Sequence, residues 1–503
     1  MENKTGSKLH VVLLASIGMG HLIPILELGK RLSTHHNFDV TIFVVASQSS
    51  AAESQILQSA MTENLCEIVE LPPVNISGLV SPDAAVGTQI CVIMRAIKPA
   101  LRSAISGLSF RPAALIVDLF GSEAMMVADE FDMPKYVYIP SNAWFLALTI
   151  YIPTLDKVVQ GEYVDQKEPL KIPGCKAVRP EDVVDPMVDR ADQHYLEYVR
   201  MSMDIPKCDG ILLNIWEDLE PKTLEALRDE ELLGQLCKVP VYPVGPLTRP
   251  LKPYDSRSGE LFPWLDKQPS ESVIYVSFGS GGTLSLEQMV ELAWGLELSQ
   301  QRFIWVVRSP SRKTGDGSFF TAGSGEANSM ASYFPEGFLD RIREGGLLIQ
   351  DWAPQVEILS HPSVGGFISH CGWNSTLEAI TNGVPIIAWP LYAEQRMNAA
   401  LLTEELGVAV RPNILASEGV VGRKEIEIMI RTITVDKEAT SIRNRVKKLK
   451  YSAAKTLSEG GSSYNALSLV AKKLELRWKS MEGMHREAVD IVRPRSTFVE
   501  NQK

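Results

Sequence analysis

Two polar residues directly follow apolar runs with the character of buried parallel strands, and they could carry acid–base chemistry. His21 follows Leu9–Leu14 through a glycine turn, and Asp118 follows Ala113–Val117. The carboxyl ends of such strands share the edge of an open α/β sheet where ligands gather. An aspartate beside a histidine fixes the imidazole tautomer and stabilises its protonated form, so the histidine can take a proton from a hydroxyl near neutral pH. The pair is therefore a candidate general base.

Each member of this pair also has a plainer interpretation. His21 fits the start of a helix with a solvated ring, and Asp118 fits a cap for a helix predicted over Ser122–Phe131. The turn before His21 matches a dinucleotide-binding fingerprint only loosely, because Gly18-x-Gly20 is not followed by the third glycine. A nicotinamide site is thus a weak alternative at this edge.

A second concentration of polar residues lies between a strand predicted over Ser363–Ser369 and a helix predicted over Ser375–Asn382. Residues 370–375, HCGWNS, stand where the fold presents the helix N-terminus to a ligand. Such a terminus offers unpaired N–H groups and partial positive charge, so an anion is the expected ligand. The alternative is that Ser375 and Glu378 form only a capping box.

Both polar regions need a strand, a glycine loop and a helix to position them, and the sequence contains this unit twice. The second copy is Val273–Phe278 followed by Gly279–Thr283. Two copies predict two facing Rossmann-like, doubly wound α/β domains with a cleft between them. The segment 239–253 contains five prolines and is interpreted as an interdomain linker. The expected boundaries are an N-terminal domain over 1–245, a linker over 246–262, a C-terminal domain over 263–475 whose last helix could pack back on the first domain, and a disordered tail over 480–503.

Composition narrows the class of partner. The chain has 503 residues, 45% hydrophobic and 22% charged, with a net charge of -11, which argues against a nucleic-acid or anionic-membrane surface. Six cysteines without CxxC pairs disfavour a disulfide framework and a structural zinc site. The longest apolar stretch, Ala143–Pro153, is too short to span a bilayer, and no leader precedes the first strand. We expect a monomeric, cytoplasmic protein without integral membrane association that binds small molecules.

The stretch Trp352–Gln395 as a whole resembles the signature box of the plant family-1 UDP-glycosyltransferases. The resemblance extends over residues 8–475 and implies the GT-B fold, with the acceptor bound mainly by the first domain and the UDP-sugar mainly by the second. Within the family, SFGSGGTLS at 277–285, WPLYAEQRMNA at 389–399 and a long loop after Arg308 resemble the branch acting on hydroquinones, monolignols and related phenolics.

The resemblance also implies roles for individual residues. Trp352 would stack on the uracil, Ala353 and Gln355 would contact base and ribose, and Glu378 would hold the ribose hydroxyls. Glu394 and Gln395 would bind the sugar hydroxyls, with the Trp373 backbone nearby. The diphosphate contacts would be His370, Asn374, Ser375 and Ser280, and the remaining residues assigned to the UDP-sugar site are Gly20, Gly372 and Tyr392.

The implied reaction is an inverting transfer of glucose from UDP-glucose to a hydroxyl of a small phenolic acceptor, giving a β-O-glucoside. His21 would be the base and Asp118 its support. The acceptor could be of the monolignol, hydroquinone, coumarin or flavonoid type. The chain contains no Asp-x-Asp motif, and no metal or other cofactor is expected, because a helix dipole and polar side chains would replace the cation. A binding protein that has lost catalysis is the alternative of a different class.

Overall fold

The computed structural model describes residues 8–46, 51–251, 259–311, 315, 330–415 and 418–492. Its first sheet is built from buried, β-branched runs, as expected for parallel strands covered on both faces. Within the described residues, this sheet has seven strands. They are Leu9–Ala15 (β1), Phe38–Val45 (β2), Glu67–Leu71 (β3), Leu115–Asp118 (β4), Lys135–Ile139 (β5), Gly210–Leu213 (β6) and Val241–Pro243 (β7).

The second sheet repeats this construction. In the described part of the chain it has six strands. They are Val273–Ser277 (β8), Arg302–Val307 (β9), Gly346–Gln350 (β10), Val364–Ser369 (β11), Ile386–Ala388 (β12) and Ala409–Val410 (β13).

Strand order creates one topological switch point in each sheet. The orders are β3-β2-β1-β4-β5-β6-β7 and β10-β9-β8-β11-β12-β13, and every pairing is parallel. The order reverses between β1 and β4 in the first sheet and between β8 and β11 in the second, so a crevice opens at the carboxyl ends of these strands. This arrangement confirms the predicted pair of doubly wound α/β domains.

Helices cover both sheets. In the first half they are Met19–His35 (α1), Ala51–Glu63 (α2), Val86–Ala96 (α3), Lys98–Ser106 (α4), Ala143–Val158 (α5), Gln193–Asp204 (α6), Pro221–Arg228 (α7) and Leu261–Leu265 (α8). In the second half they are Leu286–Ser299 (α9), Phe338–Arg341 (α10), Gln355–Ser360 (α11), Trp373–Asn382 (α12), Gln395–Ala400 (α13), Arg423–Thr434 (α14), Lys437–Thr456 (α15) and Ser462–Val492 (α16). Short 3₁₀ segments occur at Leu119–Gly121, Ala124–Phe131, Pro180–Asp182, Asp185–Met187, Ile205–Lys207, Leu233–Gln235 and Met330–Tyr333, and a π-helical turn at Leu401–Glu405 continues α13. No described helix is long and apolar enough to cross a membrane.

The last helix lies on the first sheet. Leu467, Val470 and Leu474 of α16 belong to the same buried apolar cluster as residues of β1 and β2. Lys473 Nζ donates a hydrogen bond to the Tyr242 hydroxyl over 2.7 Å, and Ser463 Oγ donates one to the Gly245 carbonyl over 2.5 Å. The chain therefore returns from the second half to cover the outer face of the first sheet.

Three sequence expectations are corrected by this structure. The proline-rich segment 239–253 contains strand β7, because an edge strand tolerates Pro243, which needs no N–H toward solvent. The expected helix over Ser122–Phe131 is a 3₁₀ segment. The tail expected to be disordered from residue 480 is helical as far as Val492. Residues 493–503 and most of the long loop after Arg308 lie outside the described residues.

Candidate active site

His21 and Asp118 meet at the first switch point. Gly18, with a φ of 102°, turns the chain from β1 into α1 and sets His21 in the first helical turn. Asp118 ends the neighbouring strand β4. The His21 Nδ1 and Asp118 Oδ2 atoms are 2.9 Å apart, and the Asp118 side chain is completely buried.

The surroundings hold this pair in place. Asp118 Oδ1 accepts a hydrogen bond from the Phe120 backbone N–H at 3.2 Å, so Asp118 caps a 3₁₀ turn as well as pairing with the histidine. The Phe120 ring packs edge-on against the imidazole, with 4.9 Å between ring centroids. The His21 side chain is 19% exposed, which does not fit a solvated ring.

Two opposing effects determine the pKa of His21. Burial lowers it, and the Asp118 carboxylate raises it by charge and by its hydrogen bond, with Glu394 adding a further attraction. The attractions prevail, so the pKa of His21 lies above the usual 6.5. An imidazole held in this way suits a proton acceptor near neutral pH.

The N-terminus of α12 faces this loop from the other half of the molecule. Asn374, in the first turn of α12, donates a hydrogen bond from Nδ2 to the Gly20 carbonyl over 3.2 Å. A Cβ added at Gly20 would meet no atom within 4 Å, so the space beside the loop is open. The Asn374 Oδ1 atom is buried and accepts no hydrogen bond from the described residues. The helix N-terminus and the base candidate thus border one cleft.

His370 lies at the second switch point, immediately after β11. Gly279 follows β8 and Gly372 precedes α12, and a Cβ at either position would overlap the imidazole ring. Burial and the positive charge of Arg308 lower the pKa of His370 to about 3. Its Nδ1 atom is buried and has no hydrogen-bond partner among the described residues. At neutral pH this ring is therefore an uncharged group with hydrogen-bonding capacity to spare.

A buried polar network surrounds Glu378 on α12. Gln355 Nε2 donates to Glu378 Oε2 at 2.7 Å and to Ser375 Oγ at 2.9 Å. Arg249 Nε lies 3.3 Å from Glu378 Oε1. The N-cap of α12 is Gly372, and no side-chain cap is formed, so the capping-box interpretation of Ser375 and Glu378 is wrong.

Trp352 is the exposed member of this group. Its side chain is 54% exposed, whereas Ala353 next to it is buried. Together with Arg249 of the connecting segment and Ile23 and Lys30 of α1, Trp352 lines a cavity of about 320 Å³ between the two halves. A large apolar ring at the rim of such a cavity can stack on a planar ligand.

The end of the signature stretch forms a loop before α13. Gln395 Oε1 accepts hydrogen bonds from the Leu391 and Tyr392 backbone N–H groups at 2.9 and 3.1 Å, which fixes the orientation of its amide. Glu394 Oε1 lies 3.4 Å from Ser141 Oγ and 3.2 Å from Asn398 Nδ2. The Tyr392 ring is 6.5 Å from that of His370.

The structure brings most of the predicted residues around one cleft, and two of them make further contacts. The Trp373 side chain points away to the first domain, donating from Nε1 to the Asn214 carbonyl over 2.9 Å. The Ser280 carbonyl accepts a hydrogen bond from Arg308 Nη1 at 2.5 Å. No cluster of three or more His, Cys, Asp or Glu side chains suited to a metal ion occurs among the described residues.

Sequence reasoning missed several residues of the cleft. Ser141 and Asn142 follow β5, and Arg308 follows β9, so the strand-end rule that identified Asp118 could have found all three. Asn142 Nδ2 donates to Asn398 Oδ1 on α13, which joins the two halves beside Glu394. No local sequence pattern indicated Arg249, because its contact with Glu378 joins residues far apart in the chain.

Comparison with known proteins identifies the family of the chain. The family model for UDP-glucoronosyl and UDP-glucosyl transferase matches residues 248–431. Anthocyanidin 3-O-glucosyltransferase 5 of Manihot esculenta is 64% identical over 94% of this chain and 97% of its own, and hydroquinone glucosyltransferase of Rauvolfia serpentina is 43% identical over 93% and 98%. The crystal structure of TcCGT1 in complex with UDP superimposes with a TM-score of 0.86 at 53% identity, covering 93% of this chain and 99% of that one. The chain belongs to the plant family-1 UDP-glycosyltransferases and has their two-domain GT-B fold.

Proposed function

We propose that this enzyme transfers glucose from UDP-glucose to a hydroxyl of a small phenolic acceptor, without a metal ion and with inversion at the anomeric carbon. The observation that carries the proposal is the hydrogen bond from Asn374 to the Gly20 carbonyl, 3.2 Å long. It joins the N-terminus of α12, an anion site by its physics, to the residue next to the base candidate His21.

His21 activates the acceptor in this mechanism. When Nδ1–H is donated to Asp118, the lone pair of the neutral imidazole lies on Nε2. Nε2 takes the proton of the acceptor hydroxyl, and the oxygen forms a bond to the anomeric carbon as the bond from that carbon to the diphosphate breaks. Asp118 stabilises the resulting imidazolium. Attack on the face opposite the departing UDP inverts the sugar.

The departing UDP takes the bonding electrons and gains negative charge. The first turn of α12 supplies backbone N–H groups and partial positive charge for it, and Asn374, Ser375 and Ser280 add polar contacts. His370 acts here as a neutral donor, because its pKa of about 3 keeps the ring uncharged. These groups take the part that a metal ion plays in other glycosyl transfers.

The nucleoside is held by the exposed ring of Trp352 and by the network around Glu378. Stacking of uracil on Trp352 is supported by the 54% exposure of this side chain. The ribose hydroxyls would donate to Glu378 and exchange with its present partner Arg249. Ala353 and Gln355 would contact base and ribose, and Gly372 leaves the phosphate path open.

In this proposal Glu394 and Gln395 form hydrogen bonds with the glucose hydroxyls, and Tyr392 and the Trp373 backbone lie alongside. The Gln395 carbonyl is already occupied by two backbone N–H groups, so its amide NH₂ is the part oriented as a donor. Glu394 supplies an acceptor and lies close enough to His21 to affect the pKa of that residue.

A phenolic acceptor is supported by chemistry and by the relatives. A phenol, with a pKa near that of tyrosine at about 10, loses its proton more easily than an aliphatic alcohol does. The relatives at 64% and 43% identity carry the names of anthocyanidin and hydroquinone glucosyltransferases, and both compounds bear aromatic hydroxyls.

A mass-resolved product assay tests the proposal. Purified protein would be offered UDP-glucose with hydroquinone, a monolignol, a hydroxycoumarin and an anthocyanidin, and the anomeric configuration of each product would be read from its proton coupling constant by NMR. We expect a β-linked hexose adduct on at least one phenol. UDP-glucose binding without an adduct on any acceptor would instead support a binding protein that has lost catalysis.

A further inference from the structure

A segment of the first domain, residues 179–187, is hydrogen-bonded to the loop that leads into Glu394 and Gln395. Its contacts fall at two points. Asp185 contacts the loop itself, and Asp182 contacts Arg411 just beyond β13. The segment lies more than 200 positions earlier in the chain, so the contact is a product of how the two halves face each other.

Asp185 binds both backbone polar groups of Ala393, the residue immediately before Glu394. Its Oδ2 accepts a hydrogen bond from the Ala393 backbone N–H at 2.5 Å, and its own N–H donates to the Ala393 carbonyl over 3.0 Å. Its Oδ1 lies 3.7 Å from Arg396 Nη2, an ionic contact with the residue directly after Gln395. Asp185 therefore contacts the residues immediately before and after Glu394 and Gln395, the two residues proposed to bind the sugar.

Ala393 needs such support because of its backbone conformation. Its φ is 59°, in the left-handed region that side chains with a Cβ disfavour. The directions of the Glu394 and Gln395 side chains depend on this φ, because α13 begins at Gln395. Two hydrogen bonds from one residue to both sides of Ala393 hold the unfavourable conformation in place.

Asp182 anchors the same segment independently. Arg411 approaches it with two nitrogens, Nη1 to Oδ1 at 2.7 Å and Nη2 to Oδ2 at 3.2 Å, and the Asp182 side chain is 1% exposed. Paired contacts of this kind fix orientation as well as distance. The segment thus presents Asp185 to Ala393 from a rigid support.

We propose that Asp185 is a positioning residue for donor-sugar recognition, acting through the Ala393 backbone on Glu394 and Gln395. The inference rests on the proposed function of those two residues. It concerns the sugar half of the donor, because Asp185 contacts Ala393 and Arg396, the residues on either side of Glu394 and Gln395. The affinity for UDP, which lacks the sugar, should therefore not depend on Asp185.

The test compares Asp185→Ala with Asp189→Asn as a control. Asp189 belongs to the same stretch of chain, but its Oδ1 accepts from the Ala191 N–H and makes no contact with the loop. We expect Asp185→Ala to lower kcat/KM for UDP-glucose about tenfold, as for loss of one charge-assisted hydrogen bond. The Kd of UDP, measured by calorimetry, should stay within about twofold of wild type. Asp189→Asn should match wild type in both measurements.

A second variant separates positioning from loss of folding. Glycine adopts positive φ without a Cβ penalty, so Ala393→Gly in the Asp185→Ala background should recover part of the lost kcat/KM. A merely structural role for Asp185 predicts no such rescue.

Three outcomes overturn the inference. UDP and UDP-glucose could weaken equally in Asp185→Ala, the variant could match wild type, or the glycine rescue could fail. In each of these cases wild type still transfers glucose and the proposed function stands. Wild-type protein without transfer would overturn the proposed function and this inference with it.

Discussion

Two histidines stand at the two switch points of the molecule, and their surroundings give them opposite properties. His21 borders β1 and β4 and pairs with the Asp118 carboxylate, which raises its pKa above 6.5. His370 borders β8 and β11, where burial and the nearby Arg308 lower its pKa to about 3. The same topology therefore places a histidine suited to accept a proton on one side of the cleft and a histidine that is uncharged at neutral pH on the other. Burial acts in the same direction on both rings, and the charge of the neighbouring residue opposes it at His21 and adds to it at His370.

The largest effect should come from removing the base. We expect His21→Ala to lower kcat by about 10³-fold, within the range typical of general-base loss. Binding of UDP should change little, since the proposed donor contacts lie mainly in the other half. His35→Ala, at the exposed end of the same helix, is the matched control and should retain wild-type turnover. If His21→Ala kept an activity comparable to wild type, His21 would not be the base, and the proposed difference in role between the two histidines would be wrong.

Removing the carboxylate should make His21 resemble His370. In Asp118→Asn the attraction that raises the pKa of His21 is lost while burial still lowers it, so the pKa should fall below its wild-type value. The base must be neutral to act, so in wild type kcat/KM falls as pH drops through a midpoint above 6.5, and in the variant that midpoint moves to lower pH. We also expect about 10²-fold lower kcat, because the imidazolium formed in the reaction loses its partner. An acid limb at the same pH in both proteins would contradict this assignment.

The neutral histidine should contribute less. His370→Gln keeps an uncharged hydrogen-bonding side chain at altered geometry, and we expect kcat/KM for UDP-glucose to fall about tenfold, as for one weakened contact to the diphosphate. The acid limb of the pH profile should not move, because His370 does not titrate there. A shifted limb would show that this ring carries a proton during turnover.

The smallest effect is expected from metal removal. If the N-terminus of α12 and His370 receive the diphosphate charge, EDTA should leave the initial rate within about twofold of the untreated enzyme. Loss of activity with EDTA, restored by Mg²⁺ or Mn²⁺, would mean that the second switch point needs a cation.

The sequence predicted these two switch points better than it predicted the contacts between them. His21, Asp118 and His370 all follow apolar runs, and a local pattern reveals the carboxyl end of a strand. Strand β7 was missed because its prolines suggested a linker, although an edge strand accepts them. Arg249 and Asp185 make contacts with residues more than 100 positions away in the chain. Periodicity carries no information on how two domains face each other, so these residues emerged only from the structure.

The most direct measurement is an NMR titration of the histidine ring carbons and nitrogens in the whole enzyme, with His21→Ala and His370→Gln used to assign the two signals. We predict that the His21 signal titrates with a midpoint above 6.5 in wild type, and that the His370 signal stays that of a neutral ring from pH 9 down to about 5. A His370 ring that protonates near pH 6.5, or a His21 ring that remains neutral well below it, would contradict the account.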